Sequence, residues 1–164
     1  MTNLRVGSGY DVHQLESNLP LLIGGVSIPH NKGIVAHSDG DILIHALSDA
    51  LLGAAGLGDI GHFFPDTDFR YKDIDSSEIL CLVLKKLSEK LFQIVNIDVT
   101  IVLENPKLQP FITKIKQSIS GKLNLDISRV NIKATTCEKM GFIGREDGIS
   151  CYATVLIEKV INKV

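Results

Sequence analysis

The sequence predicts a layered α/β (α+β) sandwich in which three main helices pack on one face of a mixed β-sheet. Short segments that alternate apolar and polar residues recur along the 164-residue chain. Three longer segments between them have the apolar spacing of amphipathic helices. Strands and helices that alternate in this way form layers, although the pattern does not fix the strand order. There is no repeat, linker or low-complexity segment, so residues 1–164 are expected to form one domain.

The first half of the chain is predicted to hold two strands, one helix and a long loop. The strands cover residues 4–10 and 19–28, the second being interrupted at Gly24-Gly25. The helix covers about 40–55, where apolar residues recur every three to four positions and Ser38-Asp39 offers the N-cap. Residues 56–75 are rich in glycine and aspartate, which is typical of a loop.

The second half is predicted to alternate two helices with three strands. A helix over about 76–92 begins after Asp75, with Glu78 three residues later as in a capping box. The next helix starts after Pro106 or Pro110 and ends at Gly121. The strands, recognised by their alternation, are Val95 to Leu103, Val130 to Ala134 and Ile149 to Ile157.

Composition excludes several classes of function. The net charge is −2 and only 5% of residues are aromatic, which argues against a nucleic-acid or anionic membrane partner. No apolar run reaches the roughly 18–20 residues that span a bilayer, and no signal peptide is recognised. The three cysteines, an odd number without close spacing, favour a reducing compartment, so a cytoplasmic protein is expected.

Charged and metal-binding residue types are unevenly distributed along the chain. All five histidines lie within the first 62 residues. The first 75 residues carry ten acidic against four basic side chains, whereas the remainder carries nine against thirteen. An anionic substrate bridged by a metal ion would use both halves together.

The segment Asp11-Val12-His13 is the first candidate metal site. In an extended strand residues 11 and 13 point to the same side, so a carboxylate and an imidazole project together. With His45 from the first predicted helix they would form a three-ligand set for a divalent transition metal. Asp49, four residues further along that helix, could accept the free ring N–H of His45. The alternative is that Asp11 caps a turn and the histidines are ordinary surface or core residues.

Of two glycine-containing segments, one is rejected as a nucleotide site and the other is a candidate phosphate site. The segment 56–61, GLGDIG, has the letters of a dinucleotide-binding fingerprint, but it follows a predicted helix rather than a strand, so a Rossmann site is rejected. The segment 135–145 follows a strand and carries hydroxyls, backbone N–H groups, a lysine and Arg145, which together suit a phosphate. Glu138 could hold Mg²⁺ there, and Lys107 could contact a phosphate. A polar turn with solvated charges remains the alternative.

Several motifs together give the sequence a family resemblance. They occur in the order GYDVH (9–13), AHSDGD (36–41), DALLG (49–53), GDIG (58–61), FPDTD (64–68), KATT (133–136), Glu138-Lys139 and Gly144-Arg145. This set resembles the 2-C-methyl-D-erythritol 2,4-cyclodiphosphate synthases over about residues 4–160. The combination of DVH, AHSDGD and FPDTD is highly specific, and it identifies the chain as a member of that family.

The resemblance implies a homotrimer whose sheets face the threefold axis and whose active sites lie between adjacent subunits. It further implies a zinc-type ion, with Mn²⁺ or Co²⁺ as alternatives, on Asp11, His13 and His45, and Mg²⁺ or Mn²⁺ at Glu138 with the substrate diphosphate. His37 and Thr136 would stabilise the transition state. The full set of substrate contacts that it implies, including residues already named, is Asp11, His13, His37, Ser38, Asp59, Ile60, Gly61, Phe64, Pro65, Asp66, Thr67, Asp68, Leu103, Lys107, Leu108, Gln109, Ala134, Thr135, Thr136, Cys137, Glu138, Phe142 and Arg145.

The chain departs from the family pattern at a few positions. Cys137 stands where a third threonine is usual, and Glu104-Asn105 replace small apolar residues before Pro106. Phe111 replaces a frequent histidine. The resemblance places Glu104, Asn105 and Phe111 at a cytidine pocket that is partly built from backbone, so we expect altered detail there rather than lost function.

The reaction implied is the cyclisation of 4-diphosphocytidyl-2-C-methyl-D-erythritol 2-phosphate to 2-C-methyl-D-erythritol 2,4-cyclodiphosphate with release of CMP. Two other functions stay open on the sequence. One is a non-catalytic trimeric carrier that binds an isoprenoid diphosphate in an apolar channel on the threefold axis. The other is a zinc-dependent phosphoesterase, whose product would be linear.

Overall fold

The computed structural model describes residues 3–65 and 74–160 and contains a five-stranded mixed sheet with helices on one face. The strand order is β4-β1-β7-β5-β6, and a small hairpin of β2 and β3 lies apart from it. The strands are β1 (Leu4–Ser17), β2 (Leu22–Ile23), β3 (Val26–Ser27), β4 (Lys32–Ile34), β5 (Phe92–Val102), β6 (Val130–Thr135) and β7 (Gly148–Lys159). The helices are α1 (Ile42–Ala55), α2 (Ile60–Phe63), α3 (Ser76–Glu89), α4 (Ile112–Leu123) and α5 (Gly141–Gly144). The predicted fold class is confirmed.

The three long strands form an antiparallel centre to which β6 adds a parallel edge. Strand β7 pairs with β1 on one side and with β5 on the other. Strand β5 runs parallel to β6, and α4 lies in the connection between them, as parallel neighbours require. Strand β1 extends seven residues beyond the predicted Tyr10, because its second half pairs with both β7 and β4.

Helix α1 begins two residues later than predicted. Its N-cap is Asp41, whose carboxylate accepts from the backbone N–H of Ile44, so Ser38-Asp39 do not cap it. The same buried carboxylate accepts N–H groups from Gly24 and Gly25 in the hairpin. One side chain therefore starts the helix and fixes the hairpin against it.

The other two main helices differ in how well their ends were predicted. Asp75 caps α3 as expected, accepting from the backbone N–H of Ser77 at 2.7 Å. Helix α4 ends at Asn124 in the left-handed conformation (φ 48°) rather than at Gly121. Within the segment expected to be loop, α2 is a single helical turn capped by Asp59.

The two faces of the sheet are covered very differently. The helix-facing side chains of the central strands are buried, and Val99, Ile101 and Ala153 are at most 1% exposed. The opposite face carries exposed apolar side chains, namely Val6, Tyr10, Val12 and Tyr152. The rings of Tyr10 and Tyr152 pack against each other at a tilt of 43°, with centroids 4.7 Å apart. In the described ranges, no helix is long and apolar enough to span a membrane.

Helix α1 lies unusually close to strand β1. A Cβ built on Gly9 would come within 2.0 Å of the carbonyl oxygen of Ala46, and one on Gly7 within 2.1 Å of the carbonyl oxygen of Ala50. The absence of side chains at these two glycines, together with alanines on the facing helix, lets the two backbones touch. This contact sets the distance between β1 and His45.

Candidate metal and nucleotide site

Asp11, His13 and His45 bring their donor atoms together between β1 and α1. Asp11 and His13 both point from β1 toward the helix layer, and His45 comes from the first turn of α1. Asp11 Oδ2 lies 2.9 Å from His13 Nε2 and 3.0 Å from His45 Nδ1. The two ring nitrogens are 3.4 Å apart.

Neighbouring groups orient each of these three side chains. The other carboxylate oxygen of Asp11 accepts from the backbone N–H of Val12 at 2.9 Å, which leaves Oδ2 facing the histidines. The ring of His13 bonds to the backbone of Val35. His45 Nε2 lies 2.9 Å from the hydroxyl of Ser76 and 3.2 Å from that of Ser38.

The electrostatics of the cluster favour an ionised carboxylate. Burial by itself would raise the pKa of Asp11, but hydrogen bonds and charge from His13 and His45 outweigh burial and hold that pKa well below its usual range. Burial likewise opposes the charged form of His13, yet the adjacent Asp11 raises the pKa of His13 above its ordinary value.

The donor set fits a tetrahedral transition metal. Metal–nitrogen and metal–oxygen bonds of about 2.0–2.1 Å at tetrahedral angles separate ligand atoms by roughly 3.3 Å. The three donor atoms are 2.9, 3.0 and 3.4 Å apart, near that separation. One carboxylate and two imidazoles are also the ligand types that zinc and its neighbours prefer, and three ligands leave a fourth position open.

Asp49 occupies a different place from the one predicted. Its carboxylate accepts the backbone N–H of Ile60 at 2.8 Å and so fixes the start of α2. The ring nitrogen that it was expected to meet, Nε2 of His45, contacts Ser76 and Ser38. The α-helical spacing of Asp49 and His45 is present, but Ser76 comes from another helix and lies closer to the ring.

A cavity of about 200 Å³ lies at the carboxyl ends of β5 and β6. Seven of its eight lining residues are ones that the family resemblance places at the substrate. The lining consists of Leu103, Pro106, Lys107, Leu108, Gln109, Ala134, Thr135 and Thr136. Strand ends converge here because β5 and β6 are parallel, which brings two distant segments to one edge.

The turn after β6 presents backbone donors. Glu138 and Lys139 adopt left-handed conformations, with φ of 50° and 62°. The N–H groups of Cys137 and Lys139 both point to the carboxylate of Glu104, at 3.3 and 3.4 Å. Thr136 Oγ1 donates to the Glu138 carboxylate at 3.1 Å. The turn therefore holds an anionic oxygen on two amides.

The other predicted site residues that the structure describes include exposed ones on the loop before α1 and on α5, whereas Phe64 beside α2 is buried. His37 is exposed on the loop before α1, and Arg145 forms an exposed ion pair with Asp147 at 3.0 Å. Phe142 is 42% exposed on α5. The predicted site residues in and beside α2 are Asp59, Ile60, Gly61, Phe64 and Pro65. Asp66, Thr67 and Asp68 lie outside the described residues.

Asp11, His13 and His45, here called the Asp11 cluster, are separated from the cavity across the sheet within one chain. The strand register places Asp11, Cys151, Ile101 and Ala134 in one row. Three strand spacings put Asp11 and Ala134 about 14 Å apart. Cys151 and Ile101, which are fully buried, fill the row between them.

Comparison with known proteins places the chain in a family. The model of the YgbB family matches residues 4–158. A 2-C-methyl-D-erythritol 2,4-cyclodiphosphate synthase of Haemophilus ducreyi is 53% identical over 95% of this chain and 98% of its own length. The synthase of Idiomarina loihiensis is 55% identical over 94% of this chain and 98% of its own length.

A solved structure shows the same similarity in three dimensions. It is described as a CDP complex of the Plasmodium falciparum protein IspF. That chain is 34% identical and superposes with a TM-score of 0.86, covering 98% of this chain and 99% of the other.

Proposed function

The chain belongs to the YgbB family, and on that basis we propose that it acts on 4-diphosphocytidyl-2-C-methyl-D-erythritol 2-phosphate. The protein is an enzyme, a cyclodiphosphate synthase that forms 2-C-methyl-D-erythritol 2,4-cyclodiphosphate and releases CMP. The observation that carries this proposal is the convergence of Asp11, His13 and His45 on one point, in a chain that also has a cavity at the carboxyl ends of β5 and β6.

Asp11, His13 and His45 hold the resident metal, for which Zn²⁺ is our first choice and Mn²⁺ or Co²⁺ are alternatives. When bound, such an ion would polarise a phosphate oxygen and neutralise its charge. The bonds from Val12, Val35 and Ser76 orient the three ligands in advance of metal binding, which lowers the entropic cost of that binding.

The cavity at β5 and β6 binds the cytidine end of the substrate. Apolar side chains of Leu103 and Leu108 can pack against the nucleoside, and Lys107 supplies a positive charge. In support of this assignment, a CDP complex is described for the Plasmodium falciparum relative.

The turn after β6 binds the diphosphate. Its two amides hold the Glu104 carboxylate in this structure, and a phosphate oxygen, which is also anionic, would replace that carboxylate on them. The exposed carboxylate of Glu138 holds Mg²⁺ or Mn²⁺ together with that diphosphate.

The reaction needs positioning and charge stabilisation more than proton transfer. An oxygen of the 2-phosphate attacks the β-phosphorus, and the bond from that phosphorus to the oxygen of CMP breaks. The second pKa of a phosphate monoester is about 6, so the nucleophile is ionised at neutral pH. Holding both ends of the substrate lowers the entropic barrier to ring closure. His37 and Thr136 donate hydrogen bonds to the charge on the transferring phosphoryl group.

The enzyme works as a homotrimer with each active site between two subunits. The exposed apolar face formed by Val6, Tyr10, Val12 and Tyr152 is of the kind that association buries. With these faces toward a threefold axis, the Asp11 cluster of one chain meets the cavity of its neighbour. The same faces would line an axial channel that accepts an isoprenoid diphosphate.

We place the enzyme in the cytoplasm. Cys81, Cys137 and Cys151 are all free thiols, which suits a reducing compartment.

Replacement of His45 tests the function directly. His45→Ala should lose the bound transition metal and CMP release while keeping the fold, because it removes one of three ligands. His30→Gln, which changes a histidine outside the cluster, should keep both. Full activity in the His45→Ala variant would overturn the assignment.

Mass spectrometry of the product separates the enzyme from its alternatives. A cyclic product supports the synthase. A product one water heavier would identify a phosphoesterase, and retained binding of an isoprenoid diphosphate with no CMP release would identify a carrier.

A further inference from the structure

A buried serine connects the Asp11 cluster to a second carboxylate. Ser76 is the first residue of α3 and is fully buried. Its hydroxyl lies 2.9 Å from His45 Nε2 and donates to Asp39 Oδ1. The other oxygen of Asp39 accepts the backbone N–H of Ser76 at 3.1 Å, so the carboxylate holds this serine at two points.

The carboxylate of Asp39 sets the direction of the hydrogen bonds at its end of this chain. It can only accept, so the Ser76 hydroxyl gives its proton to Asp39. The serine oxygen is then an acceptor toward His45 Nε2 and favours the tautomer with the ring proton on Nε2, in which Nδ1 has a lone pair for a metal. The contact of Nδ1 with Asp11 Oδ2, at 3.0 Å, favours the opposite tautomer, so the serine is the group that opposes it.

We propose that Ser76, held by Asp39, is the positioning residue that selects the metal-binding tautomer of His45 and fixes the plane of its ring. This inference rests on the proposed function, since it concerns the metal at Asp11, His13 and His45. It assigns to a serine on α3 the role that spacing along α1 suggested for Asp49.

Ser38 is the competing neighbour of the ring, but its contacts differ. Its hydroxyl lies 3.2 Å from His45 Nε2, and the same oxygen accepts the backbone N–H of Gly40 at 3.2 Å. Of the two hydroxyls beside His45 Nε2, only that of Ser76 also bonds to a carboxylate among the described residues.

The same contacts tie the beginning of α3 to the loop before α1. Asp39 N donates to the carbonyl of Ile74 at 3.2 Å, and Asp39 Oδ1 also accepts from Asp41 N at 3.1 Å. Asp39 therefore holds Ser76 relative to the N-cap of the helix that carries His45. This tie keeps the hydroxyl in place although it comes from a different part of the chain.

Metal affinity of the full-length protein tests the proposal. Zn²⁺ dissociation constants are measured by competition with a chromophoric chelator for the unsubstituted chain, Ser76→Ala and Asp39→Asn. Loss of an outer hydrogen bond to a metal-binding histidine typically weakens binding 10–100-fold. We expect a weakening of that size for Ser76→Ala and a smaller one for Asp39→Asn, which keeps an acceptor oxygen but loses the charge.

Ser48→Ala is the matched control. Ser48 is also a fully buried serine, and its hydroxyl has no hydrogen-bond partner among the described residues. Its replacement removes the same atom from the interior without removing a hydrogen bond to His45. The Zn²⁺ affinity of Ser48→Ala should therefore stay within twofold of that of the unsubstituted chain.

A proton signal distinguishes positioning from a general structural effect. With Zn²⁺ bound, the His45 Nε2 proton should give a slowly exchanging imidazole resonance. That resonance should disappear or move upfield in Ser76→Ala and stay unchanged in Ser48→Ala. Saturating Zn²⁺ should also restore CMP release in Ser76→Ala, which a misfolded site would not allow.

The outcomes separate this inference from the proposed function. If the unsubstituted chain binds no transition metal, the proposed function itself fails. If it binds Zn²⁺ and Ser76→Ala binds equally well with an unchanged resonance, the positioning role is refuted. Should Ser76→Ala not fold, Asp39→Asn still tests the proposal. Unchanged Zn²⁺ affinity and an unchanged His45 resonance in Asp39→Asn would refute it, because Asp39 is the group that is proposed to hold Ser76.

Discussion

Single residues set the geometry of this site, and two of the most important have no side chain. Gly7 and Gly9 alternate along β1 with residues of the exposed face, so both point at α1. The facing positions on α1 are Ala46, Ala50 and Ala54, one helical turn apart. The strand and the helix can therefore approach until backbone atoms touch, which brings His45 to Asp11.

Gly9→Ala should damage both the fold and the metal site. The new methyl would lie 2.0 Å from the carbonyl oxygen of Ala46, and backbone atoms cannot move aside as a flexible side chain could. Overpacking of a core usually costs about 1–3 kcal/mol, and we expect the upper end. Urea unfolding measures the stability, and chelator competition should show weaker Zn²⁺ binding as α1 is pushed from β1.

Gly53→Ala is the control for that substitution. Gly53 lies in α1 with nothing within 4 Å of the position of an added Cβ. Alanine in a helix is favoured over glycine by about 0.5–1 kcal/mol, so this variant should be as stable as the parent or slightly more so. A Gly9→Ala protein as stable as Gly53→Ala would show that the contact with α1 is soft.

The metal ligands could be inferred from the sequence, whereas their supporting groups could not. Asp11 and His13 are two apart in a strand, and their residue types and spacing by themselves suggest a metal. Ser76 and Asp39 give no such signal, because serines and aspartates near helix starts are common as caps. Their contact with His45 depends on how α3 packs, which no local pattern encodes.

At the scale of elements, β1 shows why predicted boundaries fail near functional residues. Polar side chains at Asp11, His13 and Gln14 interrupt the apolar alternation, so the predicted strand ends at Tyr10. The strand continues because its backbone pairs with β7 up to Gln14 and with β4 from Leu15 to Ser17. The helices, whose apolar stripes are regular, were predicted to within a few residues.

Helix α3 offers a test of capping energetics and pH dependence. Replacing the N-cap Asp75 by Ala should lower the free energy of unfolding by about 0.5–2 kcal/mol, while Asp75→Asn should change it little. The backbone N–H of Ser77 holds the pKa of Asp75 below its usual range. Ionised Asp75 therefore stabilises the fold fully above the unfolded-state pKa of about 3.9, and this contribution is lost as pH falls through the folded-state value.

Urea unfolding of the metal-free protein at pH 7 and near pH 3 measures this dependence. The difference in the free energy of unfolding between the parent and Asp75→Ala should be smaller at low pH, because the protonated carboxyl accepts a weaker hydrogen bond. The difference in the free energy of unfolding between Asp75→Asn and Asp75→Ala should not change with pH, since asparagine does not titrate. A pH-independent gap between the parent and Asp75→Ala would rule out a charged cap.

At the scale of the whole molecule, the proposed homotrimer would account for the distribution of charge and of apolar surface. The Asp11 cluster belongs to the acidic first half of the chain, and the turn with Lys139 belongs to the more basic second half. The strand register places the cluster and the cavity far apart within one chain, with buried side chains between them. A substrate that must contact both the Asp11 cluster and the cavity can do so more readily when the two come from neighbouring chains than when they come from one chain.

Mixing two inactive variants decides whether the active site is shared between subunits. Asp11→Ala removes a metal ligand and keeps the cavity, whereas Glu138→Ala keeps the cluster and damages the diphosphate turn. In a ring of identical contacts each site combines the cluster of one chain with the turn of the next. Random assembly from equal amounts gives both intact parts to about one quarter of the sites. Co-refolded mixtures, with exchange verified by native mass spectrometry, should therefore release CMP at about a quarter of the parental rate, although each variant alone is inactive. Mixed trimers without activity would place each complete site within a single chain, because no exchange of subunits could then restore it.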